Sequence, residues 1–386
     1  MVLRLHHAEF LCNNIRFRLR QFCGQFGFRP FAEAVNPRRV AINKNTIYFV
    51  FTEDATTTRD SVFNVTFEVK DVNEITKRVF HSNGGNVLVS PTTSSDSHGQ
   101  ILSSVLETPL GNVLHTLIDK SNYDGPFLPG FHDLTSKTLE ILPEKCRQLS
   151  KDEDLVTHID HIAFACHRDS SLKIIDWYEK CFGFTRFELN DKEKEDGFKV
   201  ESFVNGSYVG MKLIAMEYWK CAEVGIEVKS NDPRDGVKFV LAEALPGQGL
   251  NQIQTFLEEH GGPGVQHIGL HTTDIVHAVN RMKNDGVQFV TQPDAYYTQP
   301  DKIQEIHKSG LSVEELKHQN ILLDAESFTN ENDNKTKYLM QVFTKPLFER
   351  NTFFMEIIQR FGATGFGSGN IKALWRALDQ HLRKRI

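Results

Sequence analysis

Apolar residues recur along the chain in a repeated order: an extended run, a helix-like stretch, and further extended runs rich in Val, Phe and Tyr. This order starts at residues 3–11, 64–69, 161–166 and 264–270. Alternate positions are apolar in the extended runs, which is typical of strands, and the next stretch has the spacing of an amphipathic helix. The pattern predicts four β-α-β-β-β units.

Two of these units also resemble each other residue by residue. Histidine, phenylalanine and cysteine fall at the same offsets in both, as His7, Phe10 and Cys12 and as His161, Phe164 and Cys166. Each segment leads to Phe-Gly-Phe, at 26–28 and at 182–184. A repeat of this length indicates a duplicated building block. We therefore predict an α+β fold with two similar domains, residues 1–135 and 156–386, joined by a turn-rich linker at 136–155.

The composition is that of an ordinary globular protein. Of its 386 residues, 40% are hydrophobic and 24% are charged, and the formal net charge is −6. The sequence has no basic stripe with interleaved aromatic residues, so nucleic-acid binding is not predicted. No apolar run approaches the roughly 18 residues that span a bilayer. The six cysteines form no Cys-x-x-Cys pair, so neither a zinc ribbon nor a disulfide framework is predicted, and a reducing compartment is favoured.

The first thirty residues are basic. They contain five arginines and a single acidic residue, Glu9. That bias is typical of a mitochondrial transit segment. The alternative is that residues 3–11 are the first strand and residues 15–26 the first helix. We predict a mitochondrial location, with the cytoplasm as the alternative.

Two histidines and a glutamate form a candidate metal site. His161 and His267 lie on the first strands of the third and fourth units, and Glu356 lies within the apolar run 352–359. A carboxylate in so apolar a run is costly to bury unless it is paired or binds a metal. Two histidines and one carboxylate are the ligands of non-haem Fe(II) oxygenases, although zinc would accept them as well. A lone histidine on a strand is usually only a satisfied polar residue, but the shared position of these two favours a metal site.

Side chains near these residues suggest a pocket. Because side chains alternate along a strand, Phe354 shares a face with Glu356, and Gln341 shares a face with Phe343. An inward glutamine among inward phenylalanines suits a pocket for an aromatic acid. Ordinary core packing is the alternative.

The C-terminal half carries a series of motifs in a characteristic order. They are Gly-Val-Gln-His-Ile at 264–268, Gln-Val-Phe-Thr-Lys-Pro at 341–346, Phe-Met-Glu-Ile-Ile-Gln-Arg at 354–360 and Gly-Phe-Gly-Ser-Gly-Asn at 365–370. In these motifs, and in Asp-His at 160–161, the chain resembles the 4-hydroxyphenylpyruvate dioxygenase family. The resemblance covers nearly the whole chain and is weaker in the N-terminal half. It implies a vicinal-oxygen-chelate fold of the glyoxalase/bleomycin-resistance kind.

The resemblance also implies roles for particular residues. Fe(II) would be bound by the C-terminal domain alone, whereas the N-terminal domain, with His7 and His115 at ligand-like positions and Thr66 at the third, would be structural. Residues expected to act in catalysis are Gln252, Gln341 and Ile371. Residues expected to line the substrate pocket are Phe343, Phe354, Phe366, Asn370 and Ala242.

Three departures from homogentisate-forming members concern the pocket. Ala242 stands where those members carry an asparagine, their pocket serine is replaced near Ile226, and Ile371 stands where they carry a phenylalanine. Mandelate-forming members resemble this chain in having an aliphatic residue at the last position. The helical pattern at 369–385, preceded by three glycines, predicts a lid over the iron.

The resemblance thus implies an Fe(II)-dependent dioxygenase that converts 4-hydroxyphenylpyruvate and O2 to 4-hydroxymandelate and CO2, with a further expected role in supplying 4-hydroxybenzoate for a quinone head group. The alternatives are homogentisate formation in tyrosine catabolism, a related oxygenase acting on another 2-oxo acid, and a catalytically silent binding protein with the same fold. The expected partners are an aromatic 2-oxo acid and O2, and a homodimer is left open.

Overall fold

Two mixed β-sheets organise the chain. The computed structural model describes residues 1–142, 155–187, 193, 195–204, 207–218, 236–246, 251–326 and 337–374. Within these ranges the first sheet spans residues 2–123 and the second spans residues 159–361. Part of the predicted linker, residues 143–154, lies outside the described ranges, so the domain boundaries stay a prediction.

The first sheet has eight strands. They are β1 (Val2–Cys12), β2 (Arg29–Ala34), β3 (Arg39–Lys44), β4 (Ile47–Glu53), β5 (Ser61–Val69), β6 (Val87–Asp96), β7 (Gly99–Glu107) and β8 (Leu114–Tyr123). Their order across the sheet is β2-β3-β4-β1-β5-β8-β7-β6. Helix α1 (Ile15–Phe26) follows β1, helix α2 (Val72–Phe80) follows β5, and the short helix α3 (Ser136–Glu140) comes after the sheet.

The second sheet repeats this plan. Its strands are β9 (Ile159–Cys166), β10 (Thr185–Phe187), β11 (Phe198–Val204), β12 (Ser207–Tyr218), β13 (Val237–Ala244), β14 (Gly264–His271), β15 (Leu322–Ala325), β16 (Tyr338–Phe343) and β17 (Phe354–Phe361). Their order is β10-β12-β13-β9-β14-β17-β16-β15, and β11 pairs with β12. The helices of this part are α4 (Ser171–Phe182), α5 (Gln252–His260), α6 (Ile275–Asn284), α7 (Asp294–Tyr297), α8 (Pro300–Lys308) and α9 (Val313–Gln319).

Each sheet is made of two units that meet at their first strands. In the first sheet β1 pairs with β5 antiparallel, and in the second β9 pairs with β14 antiparallel. The later strands of each unit extend outwards from this central pair on either side. This arrangement confirms the predicted α+β fold of four β-α-β-β-β units, and it brings the first strands of the third and fourth units side by side.

Local sequence explains the helix after the first strand. The side chain of Asn14 accepts a hydrogen bond from the Phe17 N–H, which satisfies one of the free N–H groups at the start of α1. Leu19 and Phe22 belong to its buried face. The helix ends at Gly27, whose φ of 72° is the left-handed conformation that glycine adopts without a steric penalty. Residues 2–26 are thus a strand and a helix of the fold, as the alternative for the basic N-terminal segment expects.

The two sheets share one apolar core on their helix-covered faces. Phe10 of β1 packs edge-on against Phe353, with ring centroids 5.4 Å apart, and Phe67 of β5 lies 6.0 Å from Phe239 of β13. Burying each such ring stabilises the fold by roughly 1.5–3 kcal/mol. Contacts from one half to the other are therefore part of the core of both.

A buried arginine also joins the two halves. The Arg18 guanidinium donates to Asp60 Oδ2 at 2.6 Å, to Glu349 Oε1 at 2.6 Å and to the Leu347 carbonyl oxygen at 2.9 Å. Its side chain is only 2% exposed. Because residues 347–349 lie in the turn between β16 and β17, α1 of the first half holds that turn of the second half in place.

Several sequence predictions fall partly outside the described residues. β15 and β16 pair with each other, and residues 327–336 between them are not among the described residues. Residues 368–374 are helical, and the rest of the helix predicted at 369–385 lies outside the described residues. Ile226, Cys146 and Cys221 also lie outside the described ranges. No described helix is long and apolar enough to cross a membrane.

Candidate metal centre and adjoining cavity

His161, His267 and Glu356 lie on three adjacent strands. They come from β9, β14 and β17, which are neighbours at the centre of the second sheet. His161 Nε2 is 3.3 Å from His267 Nε2 and 3.3 Å from Glu356 Oε2, and His267 Nε2 is 3.4 Å from the same carboxylate oxygen. One ligand atom from each residue lies within 4.8 Å of the others. The structure thus brings together the three residues that the sequence singled out.

A glycine makes room for this arrangement. Gly269 of β14 is paired in register with both His161 and Glu356. A Cβ at position 269 would lie 2.6 Å from His161 Nδ1, which is closer than atoms pack. The missing side chain leaves room for the His161 ring beside β14, where it reaches the other two residues.

The electrostatics of the three residues are strongly coupled. Burial alone would raise the pKa of Glu356, but the two imidazoles lower it to about 2. Burial also lowers the pKa of both histidines. For His161 the Glu356 charge and the hydrogen bond to Asp160 outweigh burial and raise the pKa, whereas for His267 burial dominates and the pKa is lowered. The site therefore keeps an ionised carboxylate beside two imidazoles.

These residues suit a divalent cation. His161 Nδ1 lies 2.8 Å from Asp160 Oδ1, and the tautomer whose Nδ1–H donates a hydrogen bond to that carboxylate has a free lone pair on Nε2, on the side of His267 and Glu356. Two imidazole nitrogens and one carboxylate oxygen then converge on one point within a site where the three side chains are at most 15% exposed. A facial set of this composition leaves coordination positions open for other ligands.

The cavity beside this site has a volume of about 400 Å³. Seven of the residues predicted to act on or contact a substrate line it, namely Gln252, Gln341, Ile371, Phe343, Phe354, Phe366 and Ala242. Phe354 stacks on His267 with ring centroids 4.7 Å apart, and Phe366 packs edge-on against His161 at 4.8 Å. Aromatic side chains of the cavity therefore pack directly against both candidate histidine ligands.

One wall of the cavity is apolar, and polar side chains line other parts of it. Met211 and Leu213 of β12 and Val240 and Ala242 of β13 form the apolar wall. The lining residues with hydrogen-bonding groups are Gln252, Thr255, Gln266, Gln292, Gln341, Thr344, Asn351 and Thr352. Ala242 thus places a methyl group in the cavity at the position where the resemblance implied an amide in other members.

Gln266 is a lining residue that the sequence reasoning missed. Regular alternation would place it on the opposite face from His267. The pairing of β14 with β9 shifts between Val265 and His267, so Gln266 is the extra residue of a bulge and also faces the cavity. Its Nε2 and the Gln341 Oε1 are buried without a hydrogen-bond partner among the described residues, so both can serve a ligand.

The structure corrects the assignment of Asn370 to the substrate pocket. Asn370 is fully buried, and its Oδ1 accepts a hydrogen bond from the Tyr296 hydroxyl at 2.6 Å. It is not among the residues that line the cavity. Neighbouring residues of a helix point about 100° apart, so the turn that directs Ile371 into the cavity directs Asn370 towards α7.

The first sheet has different residues at the corresponding positions. His7 pairs with Thr66 as His161 pairs with Gly269. The registers then place Asn64 where the second sheet has His267, and Thr116 where it has Glu356. The sequence reasoning named His115 and Thr66 instead, and this is wrong. His115 lies on the helix-covered face, where its Nε2 is 2.7 Å from the Tyr178 hydroxyl.

Comparisons with known proteins agree with this architecture. The profile of the Glyoxalase/Bleomycin resistance protein/Dioxygenase superfamily matches residues 158–305. A 4-hydroxyphenylpyruvate dioxygenase-like protein of Rattus norvegicus is 35% identical, over 92% of this chain and 90% of that protein. A 4-hydroxyphenylpyruvate dioxygenase of Xenopus tropicalis is 30% identical, over 98% of this chain and 91% of that protein.

A solved structure shares the fold. It is a mutant of 4-hydroxymandelate synthase from Streptomyces coelicolor, with a TM-score of 0.70 and 23% sequence identity. The superposition covers 99% of both chains. The two-sheet arrangement is therefore common to both proteins over their full length.

Proposed function

Because the chain belongs to the 4-hydroxyphenylpyruvate dioxygenase family and is therefore a non-haem iron dioxygenase, we propose that it converts 4-hydroxyphenylpyruvate and O2 to 4-hydroxymandelate and CO2. The observation that carries the proposal is the convergence of His161, His267 and Glu356 at a cavity of about 400 Å³ lined by phenylalanines. That volume lies in the usual range for a small-molecule site.

The proposed site assigns a role to each group of residues. Fe(II) held by the three ligands would supply the chelation of the 2-oxo acid and the activation of O2. Phe343, Phe354 and Phe366 would pack on the aromatic ring, and the Gln341 side chain would hydrogen-bond to the substrate. The apolar walls would exclude water from the reacting atoms.

The choice of product rests on the cavity wall. Ring attack with side-chain migration gives homogentisate, whereas attack at the benzylic carbon gives 4-hydroxymandelate. Ile371 in place of a phenylalanine removes a ring contact and frees space, and Ala242 removes an amide. The substrate ring can then settle away from the metal, which brings the benzylic carbon closer. A small displacement is enough to redirect such a reaction.

Product analysis tests the proposal. Purified, Fe(II)-loaded protein is given 4-hydroxyphenylpyruvate and O2, and the products are separated chromatographically before mass spectrometry, because 4-hydroxymandelate and homogentisate are isomers. We expect mainly 4-hydroxymandelate. Ile371→Phe should move part of the flux towards homogentisate, since a tenfold change needs only about 1.4 kcal/mol and one aromatic contact contributes roughly 0.5–1.5 kcal/mol. Homogentisate as the chief wild-type product would contradict the Ile371 argument.

The alternatives predict other outcomes of the same experiment. Homogentisate as chief product supports the tyrosine-catabolic enzyme. O2 uptake with a different 2-oxo acid, but not with this one, supports another substrate, which the apolar wall at Ala242 favours. Iron-free protein without turnover supports a silent binding protein, against which the convergence of all three candidate ligands argues.

The cellular role is a further part of the proposal. 4-Hydroxymandelate could be converted by oxidation and decarboxylation to 4-hydroxybenzoate, the ring of a quinone head group, and we propose this use and a mitochondrial location. The basic composition of residues 1–30 supports the location. Fusing these residues to a fluorescent reporter tests it, and a diffuse cytosolic signal would count against an import signal in this segment.

A further inference from the structure

Asp160 and Arg360 form a buried ion pair directly behind one candidate metal ligand. Arg360 Nε donates to Asp160 Oδ2 at 2.7 Å and its Nη2 donates to Asp160 Oδ1 at 2.8 Å. The same Oδ1 lies 2.8 Å from His161 Nδ1. The side chains of Arg360 and Asp160 are 11% and 4% exposed. Paired donors in this geometry fix the carboxylate in direction as well as in position.

The third nitrogen of Arg360 reaches the segment that leads to the C-terminal helix. Nη1 donates to the carbonyl oxygens of Gly365 at 2.5 Å and Ala363 at 3.3 Å. The guanidinium carbon lies 5.1 Å from the ring of Phe366. That ring packs against His161 and lines the cavity. One guanidinium therefore contacts both the support of a metal ligand and the backbone that places a cavity residue.

We propose that Asp160 and Arg360 are positioning residues that hold His161 Nε2 towards the metal and tie this orientation to the seated position of residues 363–366. The proposal rests on the proposed metal site, but not on the identity of the substrate or product. While Arg360 keeps these hydrogen bonds, Asp160 accepts a hydrogen bond from His161 and Phe366 packs against the imidazole. When Arg360 loses them, the orientation of His161 and the position of residues 363–366 are both less well fixed.

The nature of the ion pair supports this role. A buried pair gains little net stability, because removing both charges from water costs about as much as their attraction returns. Groups that orient a ligating histidine, in contrast, typically change metal affinity by about 10–100-fold when they are substituted. Substitutions in a pair that acts on orientation should therefore change metal affinity more than they change the free energy of unfolding.

The first test is titration of metal-free protein with Co(II), which reports the ligand geometry through its visible absorption and needs no turnover. Asp160→Asn and Arg360→Lys should each weaken Co(II) binding by about 10–100-fold and alter the absorption bands. The matched control is Lys212→Met, which breaks another buried ion pair of the same sheet, Lys212 with Glu243 at 2.9 Å. It should bind Co(II) with the affinity and spectrum of the wild type.

A double variant tests whether the two residues act as one unit. If they do, Asp160→Asn combined with Arg360→Lys should bind Co(II) within about threefold of the weaker single variant, because residues in one network are not additive. The link to residues 363–366 predicts in addition that Arg360→Lys, at saturating Fe(II), consumes more O2 per product formed than Asp160→Asn does.

Defined results would overturn the proposal. The proposal fails if both single variants have the Co(II) affinity and spectrum of the wild type. It also fails if the losses of Co(II) affinity in the two single variants multiply in the double variant. Should Arg360→Lys not fold, Asp160→Asn decides alone by the same titration. His161→Ala distinguishes a failure of this proposal from a failure of the metal site itself. If that variant keeps its Co(II) affinity, the metal site is misplaced. If it loses Co(II) binding while both single variants bind Co(II) normally, only the positioning role fails.

Discussion

Gly269 offers a sharp test of the candidate metal site. Replacing it with alanine adds one methyl group, 2.6 Å from His161 Nδ1 and 3.1 Å from Nε2, where ordinary contact begins at 3.4 Å. Because the nearest ring atom, Cε1, would lie closer still, the imidazole must retreat by more than 3.4 − 2.6 = 0.8 Å. The hydrogen bond between His161 and Asp160 opposes that movement, so we expect the ring to respond by changing the direction in which Nε2 points.

The expected loss follows from this displacement. Preorganised sites tolerate errors of about 0.5 Å, and disturbing the orientation of a ligating histidine typically costs about 10–100-fold in metal affinity. We expect Gly269→Ala to weaken Fe(II) or Co(II) binding by about 100-fold, equivalent to about 2.8 kcal/mol at about 1.4 kcal/mol per tenfold change. Overpacking itself should lower the free energy of unfolding by roughly 1–3 kcal/mol.

The same strand provides a control. Alanine at Gly264 would place its methyl group 2.8 Å from Nε2 of His260, a histidine outside the candidate site. Gly264→Ala should therefore show a similar loss of stability but bind metal within about threefold of the wild type. Anaerobic metal titration and thermal unfolding of both variants give the comparison. If Gly269→Ala binds metal as tightly as Gly264→Ala, His161 is not a ligand in this position.

Three further predictions address the lid and the core. Tyr296→Phe removes the hydrogen bond to Asn370 at 2.6 Å and should raise the O2 consumed per product formed, as measured with an oxygen electrode; unchanged coupling would argue against a role in seating the C-terminal segment. Truncation after Gly362 should abolish or uncouple turnover, so fully coupled activity would contradict a lid. Burial lowers the pKa of His115 from its usual 6.5 to about 3, so the folded state binds fewer protons than the unfolded state and loses stability as pH falls through this interval. His115→Gln should accordingly flatten the fall in melting temperature between about pH 6.5 and 5, whereas an unchanged slope would show that other groups cause it.

The fold could be predicted because its signals are periodic. Alternating apolar runs and amphipathic stretches mark each unit, and the repeat of His7 and His161 marks the duplication. The same logic singled out the three candidate metal ligands that the structure brings together, because His161 and His267 occupy equivalent strands and Glu356 is a charge in an apolar run. Such signals depend on residue type and spacing, which the sequence displays directly.

The errors arise where a single residue changes the face of a strand or helix. His115 was assigned to a ligand-like position, but that position belongs to Thr116, and a shift of one residue moves a side chain to the other face of the strand. Gln266 was overlooked because a bulge interrupts alternation in β14. Asn370 was assigned to the pocket although the helix turns it away. Bulges and local registers depend on pairing partners distant in sequence, so spacing alone could not reveal them.

The hydrogen bonds from Arg18 to the turn between β16 and β17 make the second half of the chain depend on the first. That turn continues into Asn351 and Thr352, which line the cavity, so its shape is set by α1, more than 300 positions earlier in the chain. Sequence changes near Arg18 or Asp60 should therefore alter KM without touching any residue of the site. The KM measured for an isolated second half would therefore not represent that of the whole chain, even if the isolated half folded.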